Sequence, residues 1–303
     1  MPDTLYPLTI RQLVTQALFS LKQGHLFDIY KNLFFNPADK PQLQSSVFNQ
    51  KLETPIGLAA GPHTQMAQNI VAGWLCGARY IELKTVQTLD EITVSKPCID
   101  IADEGYNCEW SQELKIRQSY EEYLKAWILI HILRHELKFP PEFSTVFNMS
   151  VGYDMNGILQ DNVQEFFSKM RDCFHEKNDM IRAIRDIYPA IDDIAIPDRI
   201  SDNITLSTMH GCPPDEIGKI GHYLLTEKKL HTFIKLNPTL LGKNNITAIL
   251  NDLGYETLVP DAAFEHDIRF DDACSLIGRL QKTADKEKRF FGIKLTNTLE
   301  SVN

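Results

Sequence analysis

Two apolar rhythms alternate along this chain: short runs of strand length, and longer stretches whose apolar residues return every three or four positions. The helical rhythm comes first, over residues 8–21, where Ile10, Leu13, Val14, Ala17, Leu18 and Leu21 share a face. A polar loop opens at Asn36-Pro37. The first strand-length run, over 55–60, ends in Ala59-Ala60 and a Gly61-Pro62 turn. A helix is predicted over 66–76, with Gly77 as its stop. A second strand is predicted over 79–84, running into Lys84-Thr85. Residues 90–110 are polar and loop-rich, an insertion long enough to fold over a ligand. An amphipathic helix follows over 120–137, ended by Pro140-Pro141.

The third strand, over 145–150, carries Asn148 inside an apolar run. Helical patterns resume over 163–170 and over 178–194, the latter rich in charge and therefore expected outside the core. A fourth strand is predicted over 203–208 and a fifth over 231–236. The helix between them, over 214–225, has Asp215 and Glu216 in its first turn, where the helix dipole favours acids. His222 and His231 are expected at the surface or in helix packing. Helices over 244–253, stopped by Gly254, and over 270–283 lead to a sixth strand over 290–296. Strands alternating with amphipathic helices predict a parallel sheet, all C-terminal strand ends on one face, in an α/β barrel or an open α/β sheet.

Bulk composition narrows the function. With 303 residues the chain suffices for one large α/β domain or two smaller ones. A formal charge of −9 argues against a nucleic-acid or membrane-surface role. No apolar run is long enough to span a bilayer, and the N-terminus lacks the pattern of a secretory signal, so a cytoplasmic location is expected. Cys76, Cys98, Cys108, Cys173, Cys212 and Cys274 form no C-x-x-C pair, so no metal site is expected, and they read as mostly buried small hydrophobes. No G-x-G-x-x-G follows any predicted strand, which disfavours a Rossmann-type NAD enzyme.

Chemistry gathers where the strands end. Lys84-Thr85, Asn148, Thr205 with Ser207, Lys235, and Thr296-Asn297-Thr298 lie toward the C-terminal ends of five strands, and Ala59-Ala60-Gly61 ends the other. A buried Lys such as Lys235 needs a partner or a bound anion, and a buried Asn needs hydrogen-bonding partners. Small residues at a strand end let a flat ligand lie against the backbone, although taken alone a plain tight strand-to-helix turn is the favoured reading of them.

This order resembles the FMN barrel of dihydroorotate and dihydropyrimidine dehydrogenases. The closest likeness is to the N-terminal part of the large subunit of proteins named as selenate reductases. It is carried by residues 206–217, 233–242 and 292–298, and runs from about residue 8 to the end. The resemblance implies a TIM (β/α)₈ barrel of the dihydroorotate dehydrogenase type over 51–303, preceded by a helical segment over 1–50. It implies FMN, exchanging hydride with a small substrate of heterocyclic or related type. Ala59, Ala60 and Gly61 would lie against the isoalloxazine. Lys84, Thr85, Asn148 and Thr205 would contact the cofactor, and Lys235 would stand near flavin N1. Ser207, Thr296, Asn297 and Thr298 would line the substrate pocket.

Two departures accompany the resemblance. Thr208 falls where the family places its acid/base, and Cys212 lies four residues on. Of the two, Cys212 is favoured, because a thiol titrates near roughly 8.5 and a Thr hydroxyl needs help. The barrel also reads as truncated after about six strands, short of the loops that hold the FMN phosphate. Iron–sulfur clusters, FAD or NAD(P)H, and electron-transfer domains or subunits are expected only in downstream regions or partner chains, and exposed sheet edges suggest oligomers. The alternative is a non-catalytic barrel fragment that does not retain FMN and serves as an interaction segment.

Overall fold

The computed structural model describes residues 5–90, 99–101, 105–107, 112–140, 142–207, 212–265, 267–295, 299 and 301. In chain order the helices are α1 (Ile10–Lys22), α2 (Ala67–Leu75), α3 (Ile116–Glu136), α4 (Met155–Ile158), α5 (Asp161–Arg171), α6 (Phe174–Ile184), α7 (Pro214–Thr226), α8 (Lys243–Asp252), α9 (Asp261–Glu265) and α10 (Phe270–Glu287). The parallel strands are β1 (Gly57–Leu58), β2 (Tyr80–Glu82), β3 (Val146–Val151), β4 (Asn203–Ser207), β5 (His231–Lys235) and β6 (Phe291–Lys294). All six strands stand where the apolar runs predict them. Short antiparallel hairpins precede β1, at 25–30 and 45–52, and within the stretch read as loop-rich Ile99–Ile101 pairs antiparallel with Gly105–Asn107. The chain divides into two compact units, residues 1–149 with 161–202, and residues 150–160 with 203–303.

In the first unit β1, β2 and β3 pair in that order, all parallel. Gly57 stands opposite Tyr80, where any side chain would meet the Tyr80 carbonyl oxygen at 2.4 Å; only glycine lets the strands close here. Glu82 stands opposite Asn148. Trp74, Tyr120, Tyr123, Phe147 and Phe167 are the large buried side chains of this core. Arg79, just before β2, is fully buried. Its guanidinium pairs with Glu53, donates to the carbonyls of Trp74 at 2.6 Å and Ala78 at 3.0 Å, and lies over the Trp74 ring. Arg134 completes the group, reaching Glu53 Oε1 at 2.8 Å and the Pro140 carbonyl at 2.6 Å. Such a buried cluster is tolerable because nearly every donor finds an acceptor.

Helix α3 corrects the amphipathic expectation. Every residue from Glu122 to Arg134 is buried, with α2 and α5 packed against it. Its polar residues are spent internally: Glu122 pairs with Lys125, His131 with the Trp127 carbonyl, and Arg134 with Glu53. The charge-rich stretch over 178–194 lies largely outside the core as expected, with only Ile184, Tyr188 and Ile191 buried, but its helix is shorter than predicted. Helix α6 ends at Ile184, a 3₁₀ turn covers Pro189–Asp193, and Lys177 and Ile184 are buried. Lys177 is held inside by Asp198 at 2.6 Å and the Ile196 carbonyl at 2.6 Å.

In the second unit β4, β5 and β6 pair in that order, again parallel. Helices α7 and α10 pack together, with Gly221 of α7 admitting the Leu280 side chain. His231 is a correction: it is a buried strand residue, and its Nδ1 accepts a hydrogen bond from the Phe290 amide at 2.9 Å. The cysteines also depart from expectation. Cys173 is buried, Cys212 half-buried, and Cys76 and Cys274 exposed, while Cys98 and Cys108 lie outside the described residues.

Candidate functional site

In the first unit Glu82 of β2 and Asn148 of β3 stand on one side of the pleat. Because Glu82 and Asn148 are register partners, their side chains leave the same face, and both are buried, at 4% and 0% exposure. Lys84 lies two residues past Glu82 and is 5% exposed, a buried lysine at a strand end. Thr85 is half-buried. The turn after β1 is held from below: the Ala60 amide donates to Glu82 Oε2 at 3.5 Å, and Thr64 Oγ1 accepts from the Gly61 amide at 3.2 Å while donating to the Gly61 carbonyl at 3.0 Å. Ala59 is exposed, Ala60 half-buried and Gly61 buried.

The turn continues into a short 3₁₀ helix, Pro62–Gln65, that brings a residue the sequence reading passed over. His63 folds back on the turn, its Cε1 and Nδ1 standing 2.7 and 2.9 Å from where a Cβ on Gly61 would be. Crowding holds its imidazole below the usual histidine range, and the charge of Lys84 adds to the effect against an opposing backbone contact with Ala59. Glu82 was passed over as well. The only sequence signal for either was proximity to a motif already singled out.

The second unit repeats the arrangement with different chemistry. At the last register position of its sheet Ser207, Lys235 and Lys294 stand side by side on β4, β5 and β6. Lys235 is 9% exposed, Ser207 and Lys294 are half-buried, and Thr205, one pleat earlier, is 2% exposed. Two ammonium groups and a hydroxyl at neighbouring strand ends form a donor set suited to an anionic group. Cys212 precedes α7, and burial, with Glu216 and Asp154 nearby, pushes its thiol up to about 11. The group therefore remains a protonated thiol at neutral pH, able to donate a proton but not poised as a thiolate. Thr208, Thr296, Asn297 and Thr298 lie outside the described residues. Among the described residues no group of three or more His, Cys, Asp or Glu side chains is placed to hold a metal ion.

Polar residues at the C-terminal ends of parallel strands, each strand followed by a helix, are the layout of β/α barrel enzymes. Comparison with known families agrees: residues 27–303 match the family described as "Oxidoreductase YgfK, N-terminal TIM-barrel domain". The chain belongs to this family. It is 41% identical over 327 aligned positions to "Putative oxidoreductase YgfK" of Escherichia coli K12, and equally to the protein of that name from Escherichia coli O157:H7. The alignment takes in 100% of this chain and 31% of each relative, so the chain spans about a third of the length of these family members. Among solved structures, a Plasmodium falciparum HPPK-DHPS triple mutant with pteroate covers 93% of this chain and 53% of its own at 10% identity and a TM-score of 0.26. That value is too low to carry an argument. Family membership fixes the fold class as a TIM barrel and leaves the cofactor and substrate to be argued from the residues.

Proposed function

We propose that this chain is the FMN-dependent part of an oxidoreductase, related to dihydropyrimidine dehydrogenase and to proteins named as selenate reductases. The reading rests above all on Lys235, a nearly buried cation at the C-terminal end of a parallel strand, with Ser207 and Lys294 beside it in register. An ammonium at this strand end favours a cofactor ring that gains negative charge on reduction. FMN, when bound, would supply hydride exchange with a small, planar substrate.

The residues fit such a ring in chemical type. Asn148 and Lys84 in the first unit would hydrogen-bond ring heteroatoms, with Thr85 and Thr205 as further contacts. Lys235 would stabilise the reduced form. Ser207, Thr296, Asn297 and Thr298 remain the substrate-side candidates, and Cys212, protonated at neutral pH, or Thr208 would deliver a proton. Electrons would pass to or from further domains or partner subunits.

Visible flavin absorbance of the purified protein, or its appearance on adding FMN, is the first check. The sharper one is Lys235→Met in the FMN-loaded protein. Loss of the cation should lower the two-electron potential of bound FMN by roughly 40 mV, on the order of 2 kcal/mol, and slow its reduction. An unchanged potential removes Lys235 from the site, and a chain that takes up no FMN rejects the reading.

A further inference from the structure

Gly61 is not a glycine for reasons of backbone. Its φ of −171° and ψ of 177° describe extended chain that any residue adopts. A side chain here would meet the His63 ring, whose Cε1 would lie 2.7 Å from the Cβ, so the ring would have to move from its place over Gly61. A bound ring is therefore not the only reason the position is small. His63 itself is exposed, so the imidazole covers Gly61 on one side and is open on the other.

The ring's surroundings define what it offers. It lies by the Ala59 backbone and within electrostatic range of Lys84; burial, and then the Lys84 charge, lower its affinity for a proton, while the Ala59 contact opposes them. A neutral imidazole has one N–H, one lone pair and a flat face. With Lys84 nearby, this strand end offers a flat stacking surface beside a basic side chain, a combination suited to a planar heteroaromatic ring that gains negative charge on reduction.

We propose that His63 is the group through which the β1 strand end touches a bound planar cofactor, in place of the bare Gly61 backbone. This rests on the FMN reading above, and it reassigns one contact within it: Ala59 and Ala60 keep their places, while Gly61 serves to seat His63.

The test uses Gly61→Ala, His63→Ala and the double variant in the full chain. If His63 occupies the missing side chain's space, Gly61→Ala should lower the thermal midpoint by about 3–6 °C, and adding His63→Ala should recover most of that loss. The His63 Cε1–H proton resonance, assigned by its disappearance in His63→Asn, should move selectively as FMN is added, and His63→Ala should weaken FMN binding about tenfold. Equal effects of Gly61→Ala with and without His63 overturn the packing and the proposal. FMN binding with the His63 resonance unmoved and the affinity unchanged in His63→Ala overturns the contact and leaves the flavin reading standing. Failure of the unsubstituted chain to bind FMN overturns both.

Discussion

A histidine kept from water resists its proton, and His131 is the clearest case here. The side chain is 6% exposed, stacks on Phe143 with ring centroids 4.3 Å apart, and holds its Nδ1 2.8 Å from the Trp127 carbonyl. Burial, aided by Arg134 and Lys177, brings its titration down to about 4 from an ordinary 6.5. The unfolded chain therefore takes up this proton first. The contribution is fully present above pH 6.5 and is lost as the pH falls toward about 4, a swing of about 3 kcal/mol. Urea unfolding of His131→Phe should show a shallower loss of stability between pH 7 and 4.5 than the unsubstituted chain. Parallel pH profiles would show that another group is responsible. At this scale the sequence discloses a residue when its neighbours betray it. Lys84 and Lys235 stand among apolar residues and are buried as that context implies. Glu82 and His63 gave no such sign, because the first is recognisable only once β3 puts Asn148 opposite it, and the second only once the turn folds back on Gly61.

Helix α2 begins without the usual help. Its N-cap is Met66, which makes no side-chain capping bond, and no acid lies in its first turn. The cap comes instead from another helix: Glu122 of α3 accepts from the Ala67 amide at 2.8 Å and pairs with Lys125, whose ammonium also donates to the Leu8 carbonyl at 2.6 Å. Glu122→Ala should cost about 3–5 kcal/mol, since it leaves an orphan amide and a buried unpaired ammonium. Glu122→Gln, which keeps an acceptor for Ala67, should cost roughly half as much. A loss under about 1 kcal/mol on chemical denaturation of the Ala variant would show the cap to be idle. Elements were largely legible in the sequence where one face meets water: α7, α8 and α10 begin within a residue of their predicted starts, and α10 runs on to Glu287. Where no face meets water the signal misleads. Glu122, Lys125, His131 and Arg134 of α3 fitted an amphipathic pattern, although each has a buried partner.

For the molecule as a whole, periodicity predicted an α/β fold with six parallel strands, and the family match makes it a TIM-barrel domain. Periodicity alone left barrel and open sheet undecided, because an alternation of strand and helix is common to both. No helix among the described residues is long and apolar enough to cross a membrane. Each unit carries its own polar strand ends, so the candidate chemistry is divided along the chain between residues before and after Met149. The burial of α3 on every side from Glu122 to Arg134 has a further consequence, in time. A helical stretch that no solvent touches exchanges its amide hydrogens for deuterium only when the core around it comes apart. The amides of residues 124–133 should thus be the slowest in the first unit, their decay keeping the clock of its global opening, while the solvated face of α1 labels early. Fast labelling of that stretch would mean α3 can be bared while the rest of the unit stays folded.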